Sequence, residues 1–140
     1  MVQDTDFRQS LDDDTKNAMH DMLAALEPFR ALRQTMPLQY IVSFLLVALE
    51  EGKGVNEYAE RAGVSTSVMS RHLLDIGDRN RHKEEGFGLV TQRPDPMELR
   101  KHQMMLTPKG RAVAHQIARH LRGRKNAKVG MLGVAGGRGS

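Results

Sequence analysis

Apolar residues at helical spacing define the N-terminal part of the chain. Over residues 11–26 they recur at steps of three and four, which places them on one face of a helix. That face comprises Ala18, Met19, Met22, Leu23 and Leu26. Asp12, Asp13 and Asp14 would lie in the first turn, where negative charge complements the helix dipole. Because Pro28 cannot donate a helical hydrogen bond, it predicts a kink or a short continuation of the helix.

A second apolar stretch predicts the central helix of the fold. Pro37 suits the first turn, and Gly52 and Gly54 follow the predicted end near Glu51. Between Leu38 and Leu49 the residues are apolar almost all round. A helix of that kind is normally surrounded by protein, so we expect it to be buried.

Two shorter helices follow, with the spacing of a helix-turn-helix over residues 55–76. Asn56 is a candidate N-cap of the first, and Gly63 can supply the left-handed residue of a sharp turn. Ser65 is a good N-cap for the next helix. Three apolar residues of that helix are expected to face the interior: Met69, Leu73 and Ile76.

A β-hairpin is predicted next, across residues 88–107. The segment 78–88 is highly charged and predicts a loop. Residues 89–93 and 100–106 have strand character, with a turn that starts at Pro94-Asp95-Pro96. A basic hairpin after a helix-turn-helix is typical of the wing of a winged-helix domain.

The C-terminal part is predicted to hold one more helix and a tail. Thr107 and Pro108 suit the N-cap and first position of a helix over residues 108–122. Glycines and basic residues predict a disordered tail at 123–140, and residues 1–9 are predicted to be flexible. The expected fold is mainly α with a small β-hairpin (α+β): a winged helix-turn-helix over residues 10–122, of about five helices and a two- or three-stranded wing. The N-terminal helix and its extension occupy residues 10–35.

The charge distribution favours a polyanionic partner. The net charge is +4, but residues 1–70 hold 6 Lys and Arg against 11 Asp and Glu, and residues 71–140 hold 15 against 6. An acidic half joined to a basic half suits a protein with one surface that faces nucleic acid.

Several classes of function are excluded or disfavoured. The chain has no cysteine, which rules out disulfides, thiolate metal sites and cysteine catalysis. No nucleophile–base pair or phosphate-binding glycine loop is evident, so we predict a protein that is not an enzyme and needs no cofactor or metal. No secretory signal is present, and the apolar run at 38–49 is shorter than the roughly 20 residues that span a bilayer. A cytoplasmic protein without a membrane partner is expected.

The helix that begins after Ser65 has the residues that a DNA recognition helix needs. Ser65, Thr66 and Ser67 are small and polar, so they allow close approach of the helix to base edges. Ser70 and Arg71 lie one turn further on, and Arg71 has the reach for a guanine or a phosphate. These five residues are the predicted major-groove contacts.

The hairpin has the residues for a second DNA contact. Arg100 is the candidate for the tip, where the negative potential of a narrow minor groove favours arginine. Glu98 is expected to hold its guanidinium through a charge-assisted hydrogen bond. Arg93, Lys101 and His102 are predicted phosphate anchors.

Residues 58–110 resemble the winged-helix core of the multiple-antibiotic-resistance regulator (MarR) family. The likeness is carried by Tyr58-Ala59 to Gly63-Val64-Ser65, Val68 to Arg71, Gly88-Leu89-Val90, Arg93 to Asp95-Pro96, Glu98-Leu99-Arg100 and Leu106 to Gly110. The acid-x-Arg wing tip of that family is matched with Glu where Asp is commoner. The resemblance implies a bacterial transcription regulator, usually a homodimeric repressor on a pseudo-palindromic operator.

Three features depart from the family pattern. The segment 78–87 is longer than the usual link to the wing, and the chain becomes rich in glycine soon after Leu121, which leaves no room for a second C-terminal helix. Many relatives sense small aromatic acids, but nothing in this sequence identifies an effector. Because there is no room for a second C-terminal helix, dimer contacts are expected on the N-terminal and last helices, at Met19, Met22, Leu23, Leu26, Val113, Ile117 and Leu121.

The sequence therefore favours a regulator of transcription that binds specific double-stranded DNA. Two alternatives stay open at this point. One is a winged-helix replication or partition protein of a plasmid or phage, and the other is an interaction module whose wing contacts a protein.

Overall fold

The computed structural model describes residues 10–78 and 86–132, with side chains as far as Leu121. The described elements, in order, are α1 (Asp13–Leu32), α2 (Leu38–Leu49), α3 (Val55–Ala62), α4 (Thr66–Ile76), β1 (Val90–Pro94), β2 (His102–Leu106) and α5 (Pro108–Leu132). The predicted fold class, helices with one small hairpin, is confirmed. The predictions for residues 1–9, 79–85 and 133–140 lie outside the described residues.

The chain divides into two compact units. One comprises the chain ends, up to Glu27 and from Ile117, and the other runs from Pro28 to Gln116. The second unit contains the whole helix-turn-helix and the hairpin. No helix of the described residues combines the length and apolar character needed to cross a membrane.

Helix α1 begins with a capping aspartate, as the cluster of acids at its start suggested. The Asp12 carboxylate accepts a hydrogen bond from the Thr15 backbone N–H at 2.7 Å. Hydrogen bonds with Thr15 lower the pKa of Asp12. The helix continues through Pro28 to Leu32, so the short continuation is observed. The missing N–H of Pro28 leaves one helical hydrogen bond unmade there.

Helix α2 is buried on one face only, so the expectation of a helix buried all round was wrong. Phe44 and Val47 are fully buried, and Phe44 meets Phe29 edge-on at 5.6 Å between ring centroids. Leu38 and Leu49 on the opposite side are 69% and 81% exposed. Helices α3 and α4 and strand β2 pack against α2 and cover only the Phe44 side. Within the described chain, the other side of α2 therefore faces solvent.

The helix-turn-helix forms at the predicted place, but its first helix starts differently. Asn56 lies inside α3, and the cap is Gly54, whose N–H donates to the Glu57 carboxylate at 2.8 Å. The prediction of Asn56 as the N-cap was therefore wrong. The cause is that Glu57 stands at the third helical position, where a carboxylate reaches back to the capping residue.

The turn between the two helices is as predicted. Gly63 has φ +72° and ends α3 in the left-handed region. Ser65 caps α4, with its Oγ accepting from the Val68 N–H at 3.2 Å. The interior positions Met69, Leu73 and Ile76 are all at most 2% exposed. These signals are local in the chain, which explains why the sequence reveals them.

Strands β1 and β2 pair antiparallel, from Val90 opposite Leu106 to Pro94 opposite His102. The second strand starts at His102, two residues later than predicted, because residues 95–101 form the turn. At the root of the hairpin, the Gly52 N–H donates to the Met104 carbonyl at 2.8 Å. The Met104 N–H donates in turn to the Lys53 backbone carbonyl at 3.0 Å. The loop before α3 therefore extends the two-stranded sheet by one pair of hydrogen bonds.

The last helix begins as predicted and ends later. The Thr107 Oγ1 accepts from the Gly110 N–H at 2.9 Å and donates to the Gly88 carbonyl at 2.6 Å. Helix α5 continues to Leu132, so the tail predicted to be disordered from residue 123 is helical over its first ten residues. Arg, Lys and Ala in this stretch are good helix formers, and each of its two glycines costs only about 1 kcal/mol in a helix.

Candidate nucleic-acid interface

The exposed N-terminal end of α4 holds most of the predicted major-groove residues. Ser65, Thr66 and Ser67 are exposed, and the hydroxyls of Ser65 and Ser67 lie 3.3 Å apart. Ser70 is half-buried, and Arg71 is exposed one turn further on. Within the part of the chain that the structure describes, Arg71 forms no ion pair. The guanidinium is therefore available to an external ligand.

The wing tip is a compact turn of residues 95–101. The Asp95 N–H donates to the Lys101 carbonyl at 2.9 Å, and the Lys101 N–H donates to the Glu98 carbonyl at 2.9 Å. These hydrogen bonds bring Glu98 and Lys101 together, and their side chains form an ion pair at 3.5 Å. The hydrogen bonds of the turn therefore place Lys101 beside the Glu98 carboxylate.

The expected bond between Glu98 and Arg100 is not made. Glu98 pairs with Lys101 instead, and Arg100 is exposed with no ion pair to any described residue. Arg100 thus keeps its charge uncompensated at the tip, which is the state that a minor-groove or phosphate contact needs.

The predicted phosphate anchors are distributed along the hairpin. Arg93, Lys101 and His102 are exposed. The Arg93 Nε donates to the Gln103 amide oxygen at 3.4 Å, across the strand pair. The hairpin therefore presents cationic side chains on its exposed positions from strand to tip.

One groove lies between the start of α3 and the wing. The Thr66 hydroxyl, in the first turn of α4, donates to the Asn56 amide oxygen at 2.9 Å. Asn56 in turn lines a groove of about 380 Å³ whose other wall includes Asp95, Lys101 and His102. The first turn of α4 is therefore hydrogen-bonded to one wall of this groove, and the tip-proximal part of the wing forms the other wall.

A hydrogen-bonded framework that sequence reasoning missed supports this arrangement. The Glu51 carboxylate accepts from the Leu106 backbone N–H at 2.9 Å and from Arg111 at 2.8 Å, so it joins the loop after α2 to β2 and α5. The buried Tyr58 hydroxyl donates to the Glu50 carbonyl at 2.7 Å and accepts from the Lys53 N–H at 3.2 Å. Burial raises the pKa of Tyr58, so its hydroxyl keeps the proton that it donates.

The Glu50 side chain also holds the first helix of the helix-turn-helix, α3. Its carboxylate pairs with Arg61 on α3 and with Lys53. The hydrogen bond with Arg61 lowers the pKa of Glu50. No sequence pattern marked Glu50 or Glu51, because Arg61, Leu106 and Arg111 are brought near them only by the fold.

A second missed cluster lies behind α4. The Tyr40 hydroxyl donates to the Asp75 carboxylate at 2.6 Å, and the Tyr40 ring meets the rings of His72 and Phe87 edge-on. This cluster fixes α2 against the inner side of α4.

Comparison with known proteins identifies the fold. No family model matches the sequence, and no curated protein sequence matches it significantly. Among solved structures, RV1404 from Mycobacterium tuberculosis is similar with a TM-score of 0.59 and 16% identity, over 91% of this chain and 86% of that one. The transcriptional regulator Tm0710 from Thermotoga maritima has a TM-score of 0.59 and 18% identity, over 85% of this chain and 77% of that one. A MarR-like transcriptional regulator from the same organism, tm0816, has a TM-score of 0.56 and 20% identity. The match covers 86% of this chain and 83% of that one.

At these identities the likeness concerns the backbone. The helix order, the helix-turn-helix and the hairpin are those predicted from the sequence. The chain is therefore a winged helix-turn-helix protein with the fold of MarR-type transcription regulators.

Proposed function

We propose that this protein is a sequence-specific DNA-binding regulator of transcription, a homodimeric repressor that acts in the cytoplasm. The observation that supports this most directly is the exposed first turn of α4, whose Thr66 hydroxyl is hydrogen-bonded to Asn56 in the wall of the groove beside the wing. The exposed hydroxyls of α4 match the chemistry of a duplex, as do the exposed Arg71 and Arg100, which form no ion pair with any described residue. Two of the similar structures, Tm0710 and tm0816, are transcriptional regulators, which agrees with this proposal.

In the proposed complex α4 enters the major groove with its N-terminal turn foremost. Ser65, Thr66 and Ser67 contact bases and the adjacent backbone, and Arg71 makes a bidentate contact to guanine or a phosphate contact. Ser70, which is half-buried, contributes at the edge of this surface.

The wing adds the second contact of the proposed complex. Arg100 enters the minor groove, and Arg93 and Lys101 hold phosphates. Repression is steric, because a bound dimer excludes polymerase from the promoter without any chemical step.

The exposed apolar residues of α1 support the proposed dimer. Met19, Met22 and Leu23 are each at least half exposed, and Leu121 on α5 is 43% exposed. Leu26 and Ile117 are half-buried. Large apolar side chains that recur at helical spacing on a surface are typical of a protein interface.

Val113 does not belong to that proposed surface. It is 7% exposed and forms part of the core of its own chain, so its predicted role in a dimer was wrong. Its helical face at this point turns inward because the start of α5 is fastened to Gly88 through Thr107.

A charge in the proposed interface is expected to break the dimer. Leu23→Glu places a carboxylate where two apolar surfaces would meet, and burying an unpaired charge costs several kcal/mol. We expect a monomer by light scattering at micromolar concentration and a large loss of operator affinity. Leu49→Glu is the matched control, because Leu49 is 81% exposed and outside the predicted interface. A dimeric Leu23→Glu protein would contradict this interface.

Selection from random duplex DNA tests the function itself. We expect the wild-type protein to recover an inverted repeat with half-site centres about one helical turn, roughly 10 bp, apart. Iterated direct repeats would favour an origin-binding protein instead. Failure to retain any duplex at low salt would overturn the proposal and favour an interaction module.

A further inference from the structure

The wing tip displays two apolar side chains to solvent. Met97 is 92% exposed and Leu99 is 74% exposed, although both are large enough to be favoured in a core. They flank Glu98, and Leu99 directly precedes Arg100, which forms no ion pair with any described residue. A tip built only to hold phosphates needs no such residues.

The turn that carries these side chains has a fixed backbone. The Asp95 carboxylate accepts from the Met97 N–H at 2.8 Å, and the Glu98 N–H donates to the Asp95 carbonyl at 3.2 Å. Pro94 and Pro96 restrict the backbone on either side of Asp95. Met97 and Leu99 are therefore presented from a preorganised loop, which lowers the entropic cost of inserting them into a partner.

The electrostatics of the tip indicate the kind of partner. The Asp95 carboxylate accepts a hydrogen bond from the backbone of the turn, and the Glu98 carboxylate forms an ion pair with Lys101. Arg100 remains uncompensated among the described residues. The tip thus places an apolar pair beside a guanidinium that no described carboxylate engages, a combination that complements the sugar walls and the negative potential of a minor groove.

We propose that Met97 and Leu99 enter the minor groove beside Arg100 and act as a wedge that deforms the duplex. This inference rests on the proposed DNA-binding function. Apolar wedges of this type partly unstack a base step and bend the duplex toward the major groove. Pyrimidine–purine steps unstack most easily, so the wedge also favours TA or CA steps beneath each wing.

The test compares Met97→Ser/Leu99→Ser with the wild type on one duplex recovered by the wild-type protein from random DNA. Because both residues are exposed, the double variant is expected to keep the wild-type midpoint of thermal unfolding. We expect affinity to fall about tenfold, with an unchanged salt dependence, since no charge is lost. Energy transfer between dyes on the duplex ends should show a smaller bend in the complex.

Arg100→Ala and Met97→Leu are the controls. Arg100→Ala should reduce the slope of log affinity against log salt by about one, which distinguishes a lost phosphate or groove charge from a lost wedge. Met97→Leu keeps an apolar side chain and should preserve both affinity and bend.

The outcomes separate the wedge from the function on which it rests. Wild-type affinity and bend in the double variant would overturn the wedge and leave the DNA-binding proposal intact. Absence of any duplex bound by the wild type would overturn both. If the double variant instead lost binding to phosphatidylglycerol vesicles while duplex binding stayed the same, the tip would belong to a lipid surface and the wedge would be wrong.

Discussion

Replacing Gly110 with alanine is expected to destabilise the fold by about 3 kcal/mol, which is at the upper end of overpacking effects. A Cβ at this position would overlap the backbone carbonyl oxygen of Leu89. That carbonyl also accepts the Thr107 N–H at 3.1 Å, so it cannot retreat without breaking the start of α5. Denaturant unfolding followed by circular dichroism measures the change.

Gly54→Ala is the matched control for Gly110→Ala. An added Cβ there lies 3.3 Å from the Glu57 carboxylate, at the end of a flexible side chain, and 3.7 Å from the His102 carbonyl. Only a small loss of stability is expected. If the two variants unfolded at the same denaturant concentration, the close approach of α5 to Leu89 would not be a determinant of the fold.

Raising monovalent salt from about 50 to about 200 mM is expected to weaken duplex binding about 10³-fold or more if the dimer touches six or more phosphates. The arginines and lysines of the candidate interface are exposed, so they meet phosphates in competition with solvent counterions. Titration of one labelled duplex at several salt concentrations measures the slope.

Single substitutions in the candidate interface separate contacts to bases from contacts to phosphates. Arg71→Ala should relax base preference at one position by about 1–3 kcal/mol if it reads guanine. Lys101→Ala should weaken all sequences alike and reduce the salt slope by about one. Arg33→Ala, an exposed arginine outside the interface, is the control and should change neither. Binding that is insensitive to salt would contradict the proposed interface.

The features that the sequence revealed are those with local causes. Gly63 and Ser65 mark the turn because backbone conformation and capping depend on neighbouring residues. The spacing of Met69, Leu73 and Ile76 indicated the buried face of α4 because a helix repeats every 3.6 residues. The exposed serines and arginines of the candidate site were found in the same way.

The features that it did not reveal depend on distant parts of the chain. The apolar run of α2 could not show that only the Phe44 face would be covered, since the number of packing neighbours is not encoded locally. The partner of Glu98 depended on the hydrogen bonds of the turn, which bring Lys101 to it and leave Arg100 without an ion pair among the described residues. Glu51 could not be singled out from the sequence, because its partners Leu106 and Arg111 are more than 50 residues away along the chain.

The hairpin has two parts with different kinds of attachment. Its root shares backbone hydrogen bonds with Gly52 and Lys53, whereas the turn at 95–101 is closed by bonds among its own residues. Seven residues could therefore be exchanged as a cassette while the scaffold below stays the same. Such a modular end gives evolution, or an engineer, a way to retune groove preference without having to redesign the helices that support it.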